Sequence, residues 1–125
     1  MGSRRDIAVE ELVREASIRF RLSPAASRPL FEQALTIDPD CLEANYGLGL
    51  LALAEGDRET AVQAFECVLR VDEGQANALY HLGLLAEAEG DLRRARSVYE
   101  RVLAINPEHT PAVRRRDHLE SRGAR

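Results

Sequence analysis

Apolar residues recur along this chain at intervals of three and four, the spacing that lines one face of an α-helix. Ile7, Leu12, Val13, Ala16 and Phe20 predict a first helix over 6–21. Phe31, Ala34, Leu35 and Ile37 predict a second, stopped at Asp38-Pro39. Ser23-Pro24 reads as its start, a capping serine before a proline at the first helical position. Pro29 complicates this, because it either delays the helix to near Arg28 or kinks it. Four more helices follow, over about 41–54, 58–71, 75–88 and 92–105, and Asp40 to Glu43 resembles a capping box for the first of them. Asn106-Pro107 stops the sixth helix. Thr110-Pro111 starts a last one, 110–121, whose Val113 and Leu119 stand among charged residues.

The middle of the chain is one pattern written twice. Leu42–Gln75 and Ala76–His109 are related by a shift of 34 residues, with 15 of 34 positions identical. A fixed period of this length means stacked supersecondary units, each burying its apolar face against the next. Within each unit, Leu48, Leu51 and Ala52 (then Leu82, Leu85 and Ala86) mark the first helix. Ala61, Phe65, Val68 and Leu69 (then Ala95, Tyr99, Val102 and Leu103) mark the second. Gly56-Asp57 and Gly90-Asp91 separate them: glycine tolerates a left-handed cap, and aspartate accepts the free amides of the next helix. Gly49 and Gly83 lie in mid-helix at the same phase, where glycine costs about 1 kcal/mol relative to alanine. That repeated cost predicts a close helix approach there, expected against Ala61 and Ala95.

Leu48-Gly49, Gly56-Asp57, Ala61 and Phe65, and again Leu82-Gly83, Gly90-Asp91, Ala95, Tyr99 and Asn106-Pro107, resemble the tetratricopeptide repeat. The chain departs from that pattern at Asn45 and Leu79, where the family prefers a large aromatic, and at Glu73, where it prefers proline. The resemblance implies an all-α, right-handed α-solenoid of about three helix pairs plus a C-terminal capping helix. As a single domain over 1–125, this divides into a degenerate repeat at 6–40, repeats at 41–74 and 75–109, and a capping helix and tail at 110–125.

The resemblance also implies that the first helix of each pair lines a concave groove. The residues so placed are Glu43, Tyr46, Gly47, Leu50, Leu53 and Ala54, then Asn77, Tyr80, His81, Leu84, Glu87 and Ala88. Tyr46, Leu50, Leu53, Tyr80 and Leu84 make an apolar strip beyond what the hairpins need for their own cores. Such a strip marks a binding site, unless the chain's own terminal helix covers it. Glu43 and Glu87 would favour arginine or lysine on a ligand. Some relatives clamp acidic chaperone tails; of the matching positions Leu12, Ala16, Gly47, Asn77 and His81, only Asn77 suits that task, so no such clamp is expected.

Composition narrows the function classes. With 45% hydrophobic and 30% charged residues the chain is globular rather than disordered. No apolar run spans a bilayer, and Arg4-Arg5-Asp6 leads into an amphipathic pattern rather than a signal-peptide core. Cys41 and Cys67 show no metal or redox spacing, which points to a reducing, cytoplasmic setting. All 17 basic residues are arginine, read as codon bias of a GC-rich genome. Charge is segregated: residues 1–31 carry +2, 32–90 carry −10 and 91–125 carry +4, for a net −4.

Catalytic and cofactor chemistry find no support in the pattern. Gly47-Leu48-Gly49-Leu50-Leu51-Ala52 matches a dinucleotide fingerprint by letter, but lies inside a predicted helix with no preceding strand. His81, His109 and His118 are dispersed, so neither a metal nor an enzyme site is expected. Arg114, Arg115 and Arg116 could form a basic edge, but no aromatic residues interleave as nucleic-acid binding would want. The expectation is therefore a non-catalytic module binding a peptide or helix of a partner protein, with no cofactor, nucleic acid or membrane. The alternative is a self-assembling scaffold, a homo-oligomer pairing its acidic middle with its basic C-terminal end.

Overall fold

The computed structural model describes residues 3–123, and these form seven α-helices and no strand. Helix packing divides the chain into two compact units, Met1–Asp72 and Glu73–Arg125.

The first unit holds α1 (Arg4–Leu22), α2 (Pro24–Ile37), α3 (Leu42–Ala54) and α4 (Arg58–Val71), each packed on the next. Ser3 and Asp6 form a reciprocal capping box at the start of α1. Ser23 makes no side-chain cap, and α2 nevertheless starts at Pro24 and continues through Pro29. The capping-box expectation at Asp40–Glu43 is also corrected. Cys41 is the N-cap, its side chain making no capping bond, and Asp38 Oδ1 instead accepts from the Asp40 amide at 3.1 Å. The α3–α4 turn is as expected: Gly56 takes φ +76°, the Asp57 amide reaches back to the Ala52 carbonyl, and Asp57 caps the Thr60 amide at 3.2 Å.

Val9, Ala16, Phe31, Ala34, Cys41 and Ala44 form one core cluster, with Leu12, Val13 and Phe20 packed against it. Ile7, placed on the apolar face by the sequence pattern, is half exposed, and Val9 takes its place in the core. Asn45, at a position where the family prefers an aromatic, is buried and donates to the Pro39 carbonyl at 3.0 Å and the Cys41 carbonyl at 3.1 Å. It supplies a donor to the Pro39 carbonyl that an aromatic could not, while the Cys41 carbonyl also accepts the Asn45 backbone amide at 3.0 Å.

Gly49 does not face Ala61 as its close contact. A Cβ built there would stand 2.7 Å from Phe65 Cε1, so the glycine makes room for a fully buried aromatic ring. In the second unit, α5 (Ala76–Ala88), α6 (Leu92–Ile105) and α7 (Thr110–Ser121) pack in sequence. Gly83 there makes room for Tyr99, whose Cε1 would lie 2.5 Å from an added Cβ. Gly90 takes φ +82° and Asp91 caps Arg94 at 3.2 Å, the second writing of the same turn. Leu79, Leu85, Val102 and Leu119 are buried in this unit.

Candidate functional site

In the first unit, α1 and α3 stand on either side of an open cleft. A cavity of about 310 Å³ is walled by Ser17, Phe20 and Arg21 of α1 and by Glu43, Tyr46, Gly47 and Leu50 of α3, with Phe31 of α2 beside them. Gly47 makes this possible. A Cβ there would lie 2.3 Å from Phe31 Cζ, so the absence of a side chain lets the Phe31 ring reach the cleft. Tyr46 is half-buried and meets Phe65 edge-on, with ring centroids 5.7 Å apart. Burial pushes its phenol up from the ordinary value.

A second cavity of about 270 Å³ lies farther along the same two helices, lined by Val9, Glu10, Val13, Arg14, Cys41 and Glu43. Glu43 borders both cavities and is exposed. The cleft is therefore apolar along its walls, with Glu10, Arg14, Arg21 and Glu43 as its charges.

The structure thus brings together Glu43, Tyr46 and Leu50, three of the expected binding residues; Leu53 is half-buried farther along α3. The α1 wall was not identified from sequence. α1 lacks the Leu-Gly landmark, so nothing fixed which of its residues face α3. Leu12 and Ala16, which the family pattern would place on the inner face, pack in the core cluster instead.

In the second unit, α7 covers part of the face on which Asn77, Tyr80 and Glu87 stand. His109 caps α7, its Nδ1 accepting from the Ala112 amide at 3.2 Å. Its Nε2 lies 3.0 Å from Asn77 Oδ1. With Nδ1 accepting, Nε2 carries the proton and donates to Asn77. The His109 ring also lies 5.0 Å from that of Tyr80, which is flanked by Tyr99 at 5.9 Å. His81 is half-buried, and burial, then the nearby His109, pushes its imidazole below the ordinary value. Leu84 is half-buried.

Glu87 does not offer a free carboxylate to a ligand, as the sequence reading expected. It accepts from Arg115 Nε at 2.9 Å and from Arg115 Nη2, and from the Tyr99 hydroxyl at 2.6 Å. Of the expected basic edge, Arg114 is exposed, Arg115 turns to Glu87, and Arg116 pairs with Asp117 at 3.0 Å. Arg96 of α6 further ties α7 down through Glu120 at 3.0 Å. Three consecutive arginines thus point three ways, as residues 100° apart on a helix must.

Among the described residues no cluster of His, Cys, Asp and Glu is placed to hold a metal ion. No described helix is long and apolar enough to cross a membrane. Both cysteines are free thiols.

A sequence model of the tetratricopeptide repeat matches residues 21–66 and 48–110, and the chain belongs to that family. Its seven helices have the all-α helical-repeat fold of solved relatives. A crystal structure of MamA is 24% identical with a TM-score of 0.85, covering 94% of this chain and 70% of that one. The O-GlcNAc transferase of Thermobaculum terrenum is 27% identical with a TM-score of 0.80, but this chain, 90% covered, spans only 22% of its length. The first tetratricopeptide domain of Spaghetti (RPAP3), solved bound to the HSP90 peptide SRMEEVD, is 15% identical with a TM-score of 0.85 over 94% of both chains. No curated protein matches the chain at a significant level.

Proposed function

We propose that this chain is a non-catalytic module that binds a segment of a partner protein, with the α1–α3 cleft as its principal site. The observation that carries this reading is the cleft itself: about 310 Å³ of open, apolar-walled space beside Tyr46 and Leu50. Neither residue is wholly buried, and a half-buried apolar wall around an open cleft is the form a peptide anchor needs. The complex of the Spaghetti domain with its peptide supports the same reading, because that domain matches this fold over nearly its whole length.

The ligand is a peptide or amphipathic helix whose apolar side chain enters between Phe20 and Leu50. A basic side chain on it would meet Glu43, which has no ion-pair partner among the described residues. Leu53 on α3 extends the same site within the first unit, and in the second unit Tyr80, His81 and Leu84 on α5 are proposed as binding residues of their own. Asn77 and Glu87 contribute less, since His109 and Arg115 engage them.

A displayed random-peptide library selected on the full chain tests this. Enriched peptides should combine apolar and basic positions. Binding should fall by roughly tenfold or more, about 1.4 kcal/mol, in Leu50→Glu, with helicity by circular dichroism unchanged. Peptides that bind the single variant as well as the parent chain would reject the cleft.

A further inference from the structure

Helix α1 carries a second apolar stripe that the first unit leaves uncovered. Its inward face holds Val9, Leu12, Val13, Ala16 and Phe20 in and against the core. On the opposite face Ile7 and Ile18 are each 50% exposed, and Leu22 is 83% exposed. Between the two isoleucines, on the same line, stand Glu11 and Arg14, both exposed. Ile7, Glu11, Arg14 and Ile18 are spaced by four, three and four residues, the spacing of a seam along which two helices pack. Glu15 and Arg19, beside the stripe, pair with each other at 2.8 Å. Glu11 and Arg14 have no ion-pair partner among the described residues.

We propose that a second copy of this chain covers this stripe, with α1 packed antiparallel against its counterpart about a two-fold axis. The order of residues is self-complementary under that operation. An axis passing between Leu12 and Val13 sets Ile7 against Ile18 of the second copy, and Glu11 against Arg14 of the second copy. The same axis serves both pairs, and each occurs twice, as an isologous interface requires. Leu22 then lies beyond Ile18 and closes over Ile7 of the second copy. A parallel pairing would instead set Glu11 against Glu11 and Arg14 against Arg14, placing like charges together.

The seam from Ile7 to Leu22 is about 22 Å long at 1.5 Å per residue. Two helix faces of that length bury less than the standard stable interface, so the dimer is a weak one that forms in the micromolar range. The pairing leaves the larger cavity of the α1–α3 cleft out of the seam, because Phe20 lies on the other side of α1; of the seam residues named, Arg14 alone also borders the cleft, at its smaller cavity.

Sedimentation equilibrium of the full chain, from low to high micromolar concentration, tests the proposal. The parent chain should pass from monomer to dimer across that range. Ile18→Glu should be monomeric throughout with unchanged helicity, since the side chain it replaces is half exposed. Glu11→Arg alone and Arg14→Glu alone should each weaken association by roughly tenfold, about 1.4 kcal/mol. The exchanged variant Glu11→Arg/Arg14→Glu should restore it, because the antiparallel register pairs the two positions with each other. A parent chain monomeric at every concentration, a dimer indifferent to Ile18→Glu, or an exchanged variant as weak as either single one would each overturn it.

Discussion

Arg115 of α7 and Glu87 of α5 form a two-point ion pair, with Nε 2.9 Å from Oε1 and Nη2 on Oε2. The Tyr99 hydroxyl of α6 donates to the same carboxylate at 2.6 Å. One acidic side chain, 12% exposed, thus joins all three helices of the second unit. It uses charge where the capping helix has few apolar residues to offer.

Removing either partner should cost stability. Glu87→Gln and Arg115→Ala should each lower the unfolding free energy by about 1–2 kcal/mol, the range for charged hydrogen bonds discounted for the part-exposed arginine. The double variant should lose less than the sum, because the two share one interaction. Urea titrations followed by circular dichroism measure all three. Additive losses would mean that the pair does not act as a unit.

The same pair gives an acid dependence. Hydrogen bonding from Arg115 holds the Glu87 carboxyl below its ordinary value, aided by Tyr99 and opposed by burial. A carboxyl with a depressed native pKa stabilises the fold above its unfolded value, about 4.3 for glutamate, and that contribution fades as pH falls through the lower native value. Stability should therefore drop below about pH 4.5 more steeply in the parent chain than in Arg115→Ala. Thermal melts from pH 7 to pH 3 compare the two slopes, and identical slopes would contradict the assignment.

The mid-helix glycines should resist replacement by alanine. Alanine is worth about 1 kcal/mol more than glycine in a helix interior. At Gly49 and Gly83, however, the new methyl would stand 2.7 Å from the Phe65 ring and 2.5 Å from the Tyr99 ring. Both rings are fully buried and have little room to retreat. Overpacking of this kind costs about 1–3 kcal/mol, so each variant should be less stable than the parent. Placing Gly49→Ala in a Phe65→Leu background should reverse the sign of its effect, as thermal denaturation of the four chains would show.

The two thiols should react in order. Cys41 is buried, and that burial raises its pKa, with the neighbouring Glu43 and Asp38 adding repulsion. Cys67 is half exposed, with Arg70 Nη2 2.9 Å from its sulfur. Iodoacetamide at mildly alkaline pH should therefore label Cys67 first and reach Cys41 only on unfolding, as peptide mapping by mass spectrometry would read. Early labelling of Cys41 would show that the α2–α3 turn opens.

Much of the fold is legible in the chain because its decisive signals are local. The apolar period sets each helix, and Asp57 and Asp91 cap α4 and α6 as their positions beside glycine suggest. Where a local signal competes with packing, it misleads. Ser23 reads as a cap and makes no capping bond. Ile7 matches the apolar period of α1 but lies half exposed, since an intermittent period does not decide between two rotations of one helix. That Glu43, Tyr46 and Leu50 share one face of α3 was legible because the repeat supplied their phase, and they line one cavity. Phe20 and Arg21 across the cleft were not, because α1 carries no such landmark.

The sequence by itself determined that seven helices form, where most of them turn, and that two hairpins repeat. These depend on propensity, caps and spacing within a few residues, which act before any distant contact exists. Only the tertiary structure decided what each side chain meets: Phe65 rather than Ala61 at Gly49, Arg115 rather than a ligand at Glu87, His109 over Tyr80. Those partners lie 16 to 29 residues apart in the chain. Whether they meet depends on how each helix is rotated and how closely it approaches its neighbour, and the packing of whole buried rings sets both.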